Sequence, residues 1–368
     1  MQKTPFRRSF FIEISLFLIK IEDAILNLYE IKKEFFIMPD IITHYIFGLD
    51  TAQNIKNTPL YPIIKEHRDL FLIGLQGPDP IYYHDLRKKN HKAYIASKMH
   101  NEKTGDFLVS ALCQIKKYDI DSLEFCQGLS YLSGFICHYI LDSMAHPYIF
   151  HLGGRYQEDV PETRKYIGLH KKVELAIDTI LCEERFSMKS SDFKIHKTIL
   201  KNIEIPKCIL SMFDETLFLN YGINGGGAIF KDAYDDIRTY YKMTYDRFGA
   251  KKAVASLITP ILPKSTAPFV STFSYYNCLN EDFDYMNRNK RVWLHPVTGN
   301  IYTFSFYDIL RNANKKSTSL LQSAYDFASS QISAEDFRTM LPNISYLTGL
   351  STDDTRPMKY ISSNYTSL

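Results

Sequence analysis

Apolar residues recur along most of the chain at intervals of three and four, which is the spacing of helices with one buried face. The alternation of apolar and polar residues that is typical of strands is rare. We therefore predict an all-α fold, a multi-helix bundle with a helical C-terminal extension. The pattern places helices at about 41–50, 62–75, 99–112, 125–145, 168–182, 205–221, 228–248 and 303–330.

The helix at 125–145 is apolar nearly all round, as in a helix buried in a core, yet it carries ionisable side chains. His138, Asp142 and His146 follow one another at intervals of four, so they lie along one side of the helix. A buried carboxylate between two imidazoles is costly unless it is paired, and a divalent metal ion is the strongest available partner. His138 and His146 are about 12 Å apart along such a helix, too far to share one ion. The spacing therefore favours a cluster of metal ions over a single ion.

Prolines predict two further local features. Pro147 should end the central helix at His146, because the residue before a proline disfavours helical backbone. The prolines of Gly77-Pro78-Asp79-Pro80 are expected to force extended backbone and to expose Asp79 at a tight bend.

Other imidazoles and carboxylates lie on neighbouring predicted helices. His170 and Glu174 are four residues apart, so they share one face of the helix at 168–182. Neutral imidazole together with carboxylate is the ligand set that suits zinc. The candidate metal ligands are His44, Asp79, His100, His138, Asp142, His146, His170 and Glu174. The histidines that we predict to be surface or loop residues are His67, His84, His91, His151, His196 and His295.

In this order the motifs resemble those of the zinc-dependent phospholipase C family. The similar pieces are Thr43-His44, Gly77-Pro78-Asp79-Pro80, Met99-His100, His138-xxx-Asp142, His146 and His170-xxx-Glu174, with a weaker similarity at Trp293-xx-Pro296. The chain looks most like the branch of short bacterial proteins that lack a signal peptide. The resemblance covers about residues 38–185 and implies a helical body of the zinc phospholipase C type, with two to three zinc ions in the bundle core.

The resemblance also implies how the ligands are shared among the ions. Asp79, His100, His138 and Asp142 would hold one ion. His146, His170 and Glu174 would hold a second, and His44 would hold a third, with Asp142 as a bridge. The interval from Asp142 to His146 is shorter than in the secreted enzymes, so the resemblance supports His146 least.

The N-terminus departs from the family pattern. In the secreted enzymes the third ion also binds the amine and carbonyl of the mature N-terminal residue, whereas 37 residues precede Met38 here. A translation start at Met38, followed by removal of that methionine, would give Pro39 the free amine.

The activity that the resemblance implies is hydrolysis of a phosphodiester, such as a phospholipid head group, by a metal-activated water. Asp79 would orient this water or act as its base, and a phospholipid substrate implies peripheral contact with a membrane. One alternative is a related zinc nuclease or phosphoesterase, which needs aromatic platforms beside a basic groove, and only the stretch at 87–92 hints at one. Another is a metal-stabilised helical adaptor without catalysis. We expect an enzyme and no nucleic-acid partner.

Charge and cysteine content add few constraints. A net charge of +3 is too small to indicate nucleic-acid binding by itself. The six cysteines include no CxxC pair, which predicts free thiols in a reducing compartment, and hence a cytoplasmic protein. Arg7 and Arg8 precede an apolar run that imitates a signal peptide, but Glu13 interrupts it. Export or membrane association through this segment is the alternative.

The pattern divides the chain into four parts. The polar stretch 188–194 predicts the main internal boundary. The parts are an amphipathic N-terminal extension at 1–37, a zinc-dependent phospholipase C-like domain at 38–187, a helical C-terminal region at 195–350 and a polar tail at 351–368.

Overall fold

The computed structural model describes residues 41–85, 91–157, 159–261, 273–276 and 279–362. Within these residues the chain is a bundle of helices with one two-stranded antiparallel hairpin, which confirms the all-α prediction. The predicted N-terminal extension at 1–37 lies outside the described residues.

The helices are α1 (Ile41–Asn54), α2 (Leu60–Glu66), α3 (Arg68–Gly74), α4 (Ala93–Asn101), α5 (Thr104–Ile115), α6 (Leu123–Gly153), α7 (Leu169–Phe186), α8 (Ile195–Thr198), α9 (Lys207–Tyr221), α10 (Gly226–Thr244), α11 (Ala250–Ile258), α12 (Phe306–Ala328) and α13 (Ala334–Met340). The strands are β1 (Trp293–Leu294) and β2 (Ile301–Tyr302). A short 3₁₀ helix spans Asp79–Tyr83.

Helix α6 is the centre of the bundle, and nearly all of its residues are buried. Its first turn is capped by Ser122, whose hydroxyl accepts a hydrogen bond from the amide of Phe125 at 3.2 Å. Seven helices pack around it, namely α1, α2, α3, α5, α7, α9 and α12. An element that is enclosed on every side must be apolar all round, which explains its sequence.

The prediction that the central helix ends at His146 is wrong, because α6 continues to Gly153 with Pro147 inside it. Pro147 has no N–H to donate to the carbonyl of Ser143, one turn earlier. That carbonyl lies against Gly349, where an added Cβ would be 2.3 Å from the Ser143 oxygen. The residues after Pro147 are almost completely buried, so packing outweighs the local preference of the proline.

Two further helices differ from their predicted bounds. The helix predicted at 62–75 is divided at His67 into α2 and α3. The helix predicted to begin at Met99 is also two helices, since Lys103 adopts left-handed backbone with φ 48°. His100 therefore lies in the last turn of α4 instead of the first turn of a new helix.

A close crossing sets the position of α3 on α6. A Cβ added to Gly134 would lie 2.2 Å from the carbonyl oxygen of Phe71, so the two backbones approach more closely than any side chain would allow. Because α3 is followed directly by the turn that carries Asp79, this crossing brings Asp79 towards the polar side of α6.

The C-terminal region packs on the same core as the first half of the chain. Helix α12 lies against both α1 and α6, and one continuous cluster of buried apolar residues extends from Ile41 to Leu347. The division of the chain at 188–194 stays a prediction. Among the described residues, no helix is long and apolar enough to cross a membrane.

Replacement of Gly134 by alanine tests the crossing of α3 and α6. A methyl group there would press on the Phe71 carbonyl and force the helices apart, and we expect the free energy of unfolding to fall by about 1–3 kcal/mol. Urea denaturation followed by circular dichroism measures this loss. An unchanged unfolding midpoint would contradict the close crossing.

Candidate metal centre

The ionisable side of α6 faces inward at the middle of the bundle. His138, Asp142 and His146 are at most 4% exposed, and the other five candidate ligands are at most 3% exposed. The structure therefore brings all eight candidates from the sequence into one buried region, supplied by α1, the turn after α3, α4, α6 and α7.

Asp142 lies at the centre of this region. Its Oδ1 is 3.0 Å from Nε2 of His44. Its Oδ2 is 3.1 Å from Nε2 of His138, 3.7 Å from Nδ1 of His146 and 3.8 Å from Nε2 of His100. A single carboxylate thus has four imidazoles within 4 Å, which suits a ligand that bridges neighbouring ions.

Asp79 approaches the same region from the turn after α3. Its Oδ1 is 3.1 Å from Nε2 of His100 and 4.0 Å from Nε2 of His138. The prediction of an exposed bend is wrong, because Asp79 is 1% exposed and begins a 3₁₀ helix. Gly77, with φ +49°, lets the turn fold inward, and a Cβ at this position would lie 2.2 Å from the ring of His138.

Helix α7 contributes the third group. Nε2 of His170 is 2.6 Å from Oε1 of Glu174, and Nε2 of His146 is 3.5 Å from the same oxygen. His146 reaches Glu174 from inside α6, so the short interval between Asp142 and His146 is accommodated by the helix that continues through Pro147.

The potential ligand atoms form three groups, each with all of its atoms within 4.8 Å of one another. The groups are His44, His138 and Asp142; Asp79, His100 and His138; and His146, His170 and Glu174. His138 belongs to the first two groups, and Nδ1 of His146 in the third is 3.7 Å from Oδ2 of Asp142 in the first, so the groups are adjacent. How the ligands are divided among ions stays a prediction.

Buried polar atoms without a hydrogen-bond partner support metal binding. They include Oδ1 of Asp79, Nε2 of His100, Nε2 of His138 and Oδ2 of Asp142, none of which has a partner among the described residues. Burying such atoms away from water is costly unless another interaction compensates, and a cation between them would compensate. The donor set of imidazole nitrogens and carboxylate oxygens fits zinc.

Backbone carbonyls fix the orientation of three imidazoles. Nδ1 of His100 donates to the carbonyl of Ala96 at 2.7 Å, and Nδ1 of His138 donates to that of Leu75 at 3.2 Å. Nδ1 of His146 donates to the carbonyl of Tyr346 at 2.9 Å. Because a carbonyl only accepts, Nδ1 carries a hydrogen, and Nε2 is the atom left to bind a metal, which is the arrangement of histidines that bind metals.

The electrostatics of the region favour ionised carboxylates. Burial alone would raise the pKa of Asp142, but His138, His146 and His44 outweigh it and hold that pKa well below its usual value. Burial is likewise outweighed at Glu174, where His170 and His146 lower the pKa to about 2. Burial would lower the pKa of His146, yet Asp142, Glu174 and the Tyr346 carbonyl raise it to about 9. A metal that binds His146 at neutral pH must therefore displace a proton.

Asp178 is a buried residue near the candidate ligands that the sequence pattern did not single out. Its carboxylate accepts hydrogen bonds from the amides of Ile42 and Thr43, at 3.2 and 2.7 Å, and from the hydroxyls of Thr43 and Tyr275, at 2.7 and 2.6 Å. It thus caps the start of α1 and positions His44. The signal was present, since Asp178 follows Glu174 by four residues within an apolar run.

Three histidines that were predicted at the surface or in loops are buried. His151 lies on α6 and donates to the carbonyl of Tyr360 at 2.9 Å. His295 bonds the carbonyl of Thr348 at 2.9 Å, and His84 is 6% exposed. The prediction of a surface or loop position is wrong for His151, which is buried within a helix. His84 and His295 lie outside helices and strands, as predicted, but long-range contacts cover their side chains. The three groups of potential ligands include none of them.

Comparison with known protein families agrees with this geometry. Residues 43–221 match the model of a family described as zinc-dependent phospholipase C. Over this region, just under half of the chain, the sequence is similar to the zinc-dependent phospholipase C family. All eight candidate ligands lie inside the matched residues, and the family supports a phospholipase C-like zinc hydrolase. Searches of curated proteins and of solved structures found no match.

Substitution of Asp142 by asparagine tests the central role of this carboxylate. We expect it to remove more zinc than any single substitution of a histidine by glutamine, because Asp142 is within 4 Å of four imidazoles. Elemental analysis of the purified chain gives the zinc content. The exposed Asp235→Asn variant is the control and should keep the wild-type content. A wild-type zinc content in Asp142→Asn would refute the bridging role.

Proposed function

We propose that the protein is a zinc phosphodiesterase that hydrolyses phospholipids between the glycerol oxygen and the phosphorus. The observation that carries the proposal is the shared carboxylate of Asp142, which joins adjacent groups of ligands in one buried region. We further propose that two to three zinc ions bind there; the zinc dependence of the similar family supports zinc as the metal.

The chemistry divides between the metal and the chain. Bound zinc would polarise the phosphoryl oxygens and make water more acidic at neutral pH. Among the residues of the chain, Asp79 is placed to orient the attacking water or to accept its proton, since it is buried and its Oδ1 has no hydrogen-bond partner among the described residues. The turn that begins at Gly77 holds this carboxylate in place.

Arg155 is suited to bind the phosphate of the substrate. It is half-buried just after the end of α6 and forms no salt bridge with any described residue. Two observations support a position near the metal centre: the charge of Arg155 acts on Tyr82, whose hydroxyl is 3.4 Å from Nδ1 of His100, and Gly153, two residues earlier, lies against the backbone of His170. A guanidinium that is not paired with a carboxylate can bind two phosphate oxygens at once.

Hydrolysis of phosphatidylcholine is the direct test of the proposed function. We expect the zinc-loaded chain to release phosphocholine from mixed micelles, to lose this activity with a chelator and to regain it with added zinc. The Asp142→Asn variant is the inactive control. Single-stranded DNA serves as a competing substrate: its cleavage without release of phosphocholine would indicate a zinc nuclease. Turnover of neither substrate at full zinc occupancy would indicate a non-catalytic metal protein.

Substitution of Arg155 by glutamine tests phosphate binding. Loss of a charged hydrogen bond is worth about 1.5–3 kcal/mol, so the KM should rise roughly 10- to 100-fold while the zinc content stays unchanged. Arg164→Gln, an exposed arginine of the same connection between α6 and α7, is the matched control. Steady-state kinetics on a soluble phosphocholine ester measure KM. Equal KM values for the two variants would exclude this role for Arg155.

A further inference from the structure

The segment at 341–350, which we call the C-terminal segment, lies outside the residues that match the family, yet it contacts the metal centre. Tyr346 is 1% exposed, and its carbonyl accepts the hydrogen bond from Nδ1 of His146 at 2.9 Å. Its own amide donates to the carbonyl of His100 at 2.9 Å. The Tyr346 ring centroid is 5.1 Å from that of His100 and 5.6 Å from that of His138. One residue therefore contacts three candidate ligands.

The C-terminal segment is held against α5 by several hydrogen bonds. The hydroxyl of Thr104 donates to the carbonyl of Ile344 at 2.8 Å and accepts from its amide at 2.9 Å. The side chain of Asn343 accepts from the amides of Gly105 and Asp106, both at 3.0 Å, in the first turn of α5. The amides in the first turn of an isolated helix have no hydrogen-bond partner, and these bonds supply one. The segment is therefore an integral part of the fold.

The same segment is fixed on α6. The hydroxyl of Tyr139 donates to the carbonyl of Pro342 at 2.7 Å. Gly349 lies against the carbonyl of Ser143, which cannot accept a hydrogen bond from the nitrogen of Pro147. The segment thus contacts α6 along the stretch that carries the candidate ligands, at Tyr139, Ser143 and His146.

We propose that the C-terminal segment is a positioning element of the metal centre and that Tyr346 orients His146 for metal binding. The carbonyl of Tyr346 holds the hydrogen of His146 on Nδ1 and turns Nε2 towards Glu174. Removing such a partner of a metal-binding histidine lowers metal affinity about 10- to 100-fold in general. The proposal rests on the metal binding that the proposed function requires.

Substitution of Gly349 by alanine displaces the C-terminal segment, because the new Cβ would lie 2.3 Å from the carbonyl oxygen of Ser143. Gly222→Ala is the matched control. The two glycines have nearly the same φ, +67° and +69°, but a Cβ at Gly222 meets no atom within 4 Å. Both variants therefore carry the same backbone strain, and only Gly349→Ala disturbs the segment. We expect zinc affinity to fall about 10- to 100-fold in Gly349→Ala and to remain at the wild-type value in Gly222→Ala.

Competition with a chromophoric chelator measures zinc affinity, and circular dichroism of the metal-free chains verifies the fold. A general loss of structure is distinguished by repeating Gly349→Ala in a His146→Gln background. If the segment acts through His146, Gly349→Ala should lower the zinc affinity of the His146→Gln variant only slightly. If it acts by another route, the losses of affinity from the two substitutions should add.

Tyr346 provides a second test that remains available if Gly349→Ala does not fold. Tyr346→Phe keeps the ring, so it should keep the wild-type affinity. Tyr346→Ala should lose affinity, because without the ring that packs on His100 and His138 the carbonyl at this position is no longer held against His146. Wild-type affinity in a folded Gly349→Ala variant, or in Tyr346→Ala if Gly349→Ala does not fold, would overturn this inference alone. A wild-type chain that binds no zinc would overturn the proposed function as well.

Discussion

The buried carboxylate of Asp142 is the constraint on which the rest of the structure depends. A negative charge inside an apolar helix is stable only where opposite charge or strong donors surround it. His44, His138, His146 and His100 supply this surrounding from three different helices. The bundle must therefore hold α1, α4 and α6 at fixed distances around the carboxylate of Asp142. The result is a set of adjacent groups of buried side chains that could hold metal ions.

Backbone geometry, more than side-chain chemistry, sets the precision of the site. The histidines at 100, 138 and 146 each donate to a main-chain carbonyl, and these carbonyls come from α4, from the residue after α3 and from the C-terminal segment. Asp178 fixes the first turn of α1 in the same way, through main-chain amides. A main-chain carbonyl is present whatever side chain its residue carries. The orientation of these imidazoles therefore depends on the positions of the helices more than on the identity of the surrounding residues.

The family match and the metal centre do not have the same extent. The match ends at residue 221, whereas Tyr346 completes the surroundings of His146. The C-terminal region therefore shares the hydrophobic core of the first half of the chain and also contacts the candidate metal centre. The C-terminal segment also packs on α6 beside Pro147, where Gly349 contacts the carbonyl of Ser143.

The sequence by itself determined the helical fold, the central helix and the eight candidate ligands, because helical spacing is local and an ionisable residue in an apolar run demands compensation. It could not show that α6 continues through Pro147, that Asp79 is buried, or that His84, His151 and His295 are covered. Asp178 and Tyr346 were hidden for the same reason. Their hydrogen bonds join residues 135 and 200 positions apart, and only tertiary packing brings such residues together. Local preferences are worth about 1–3 kcal/mol, and the burial of several large side chains outweighs them.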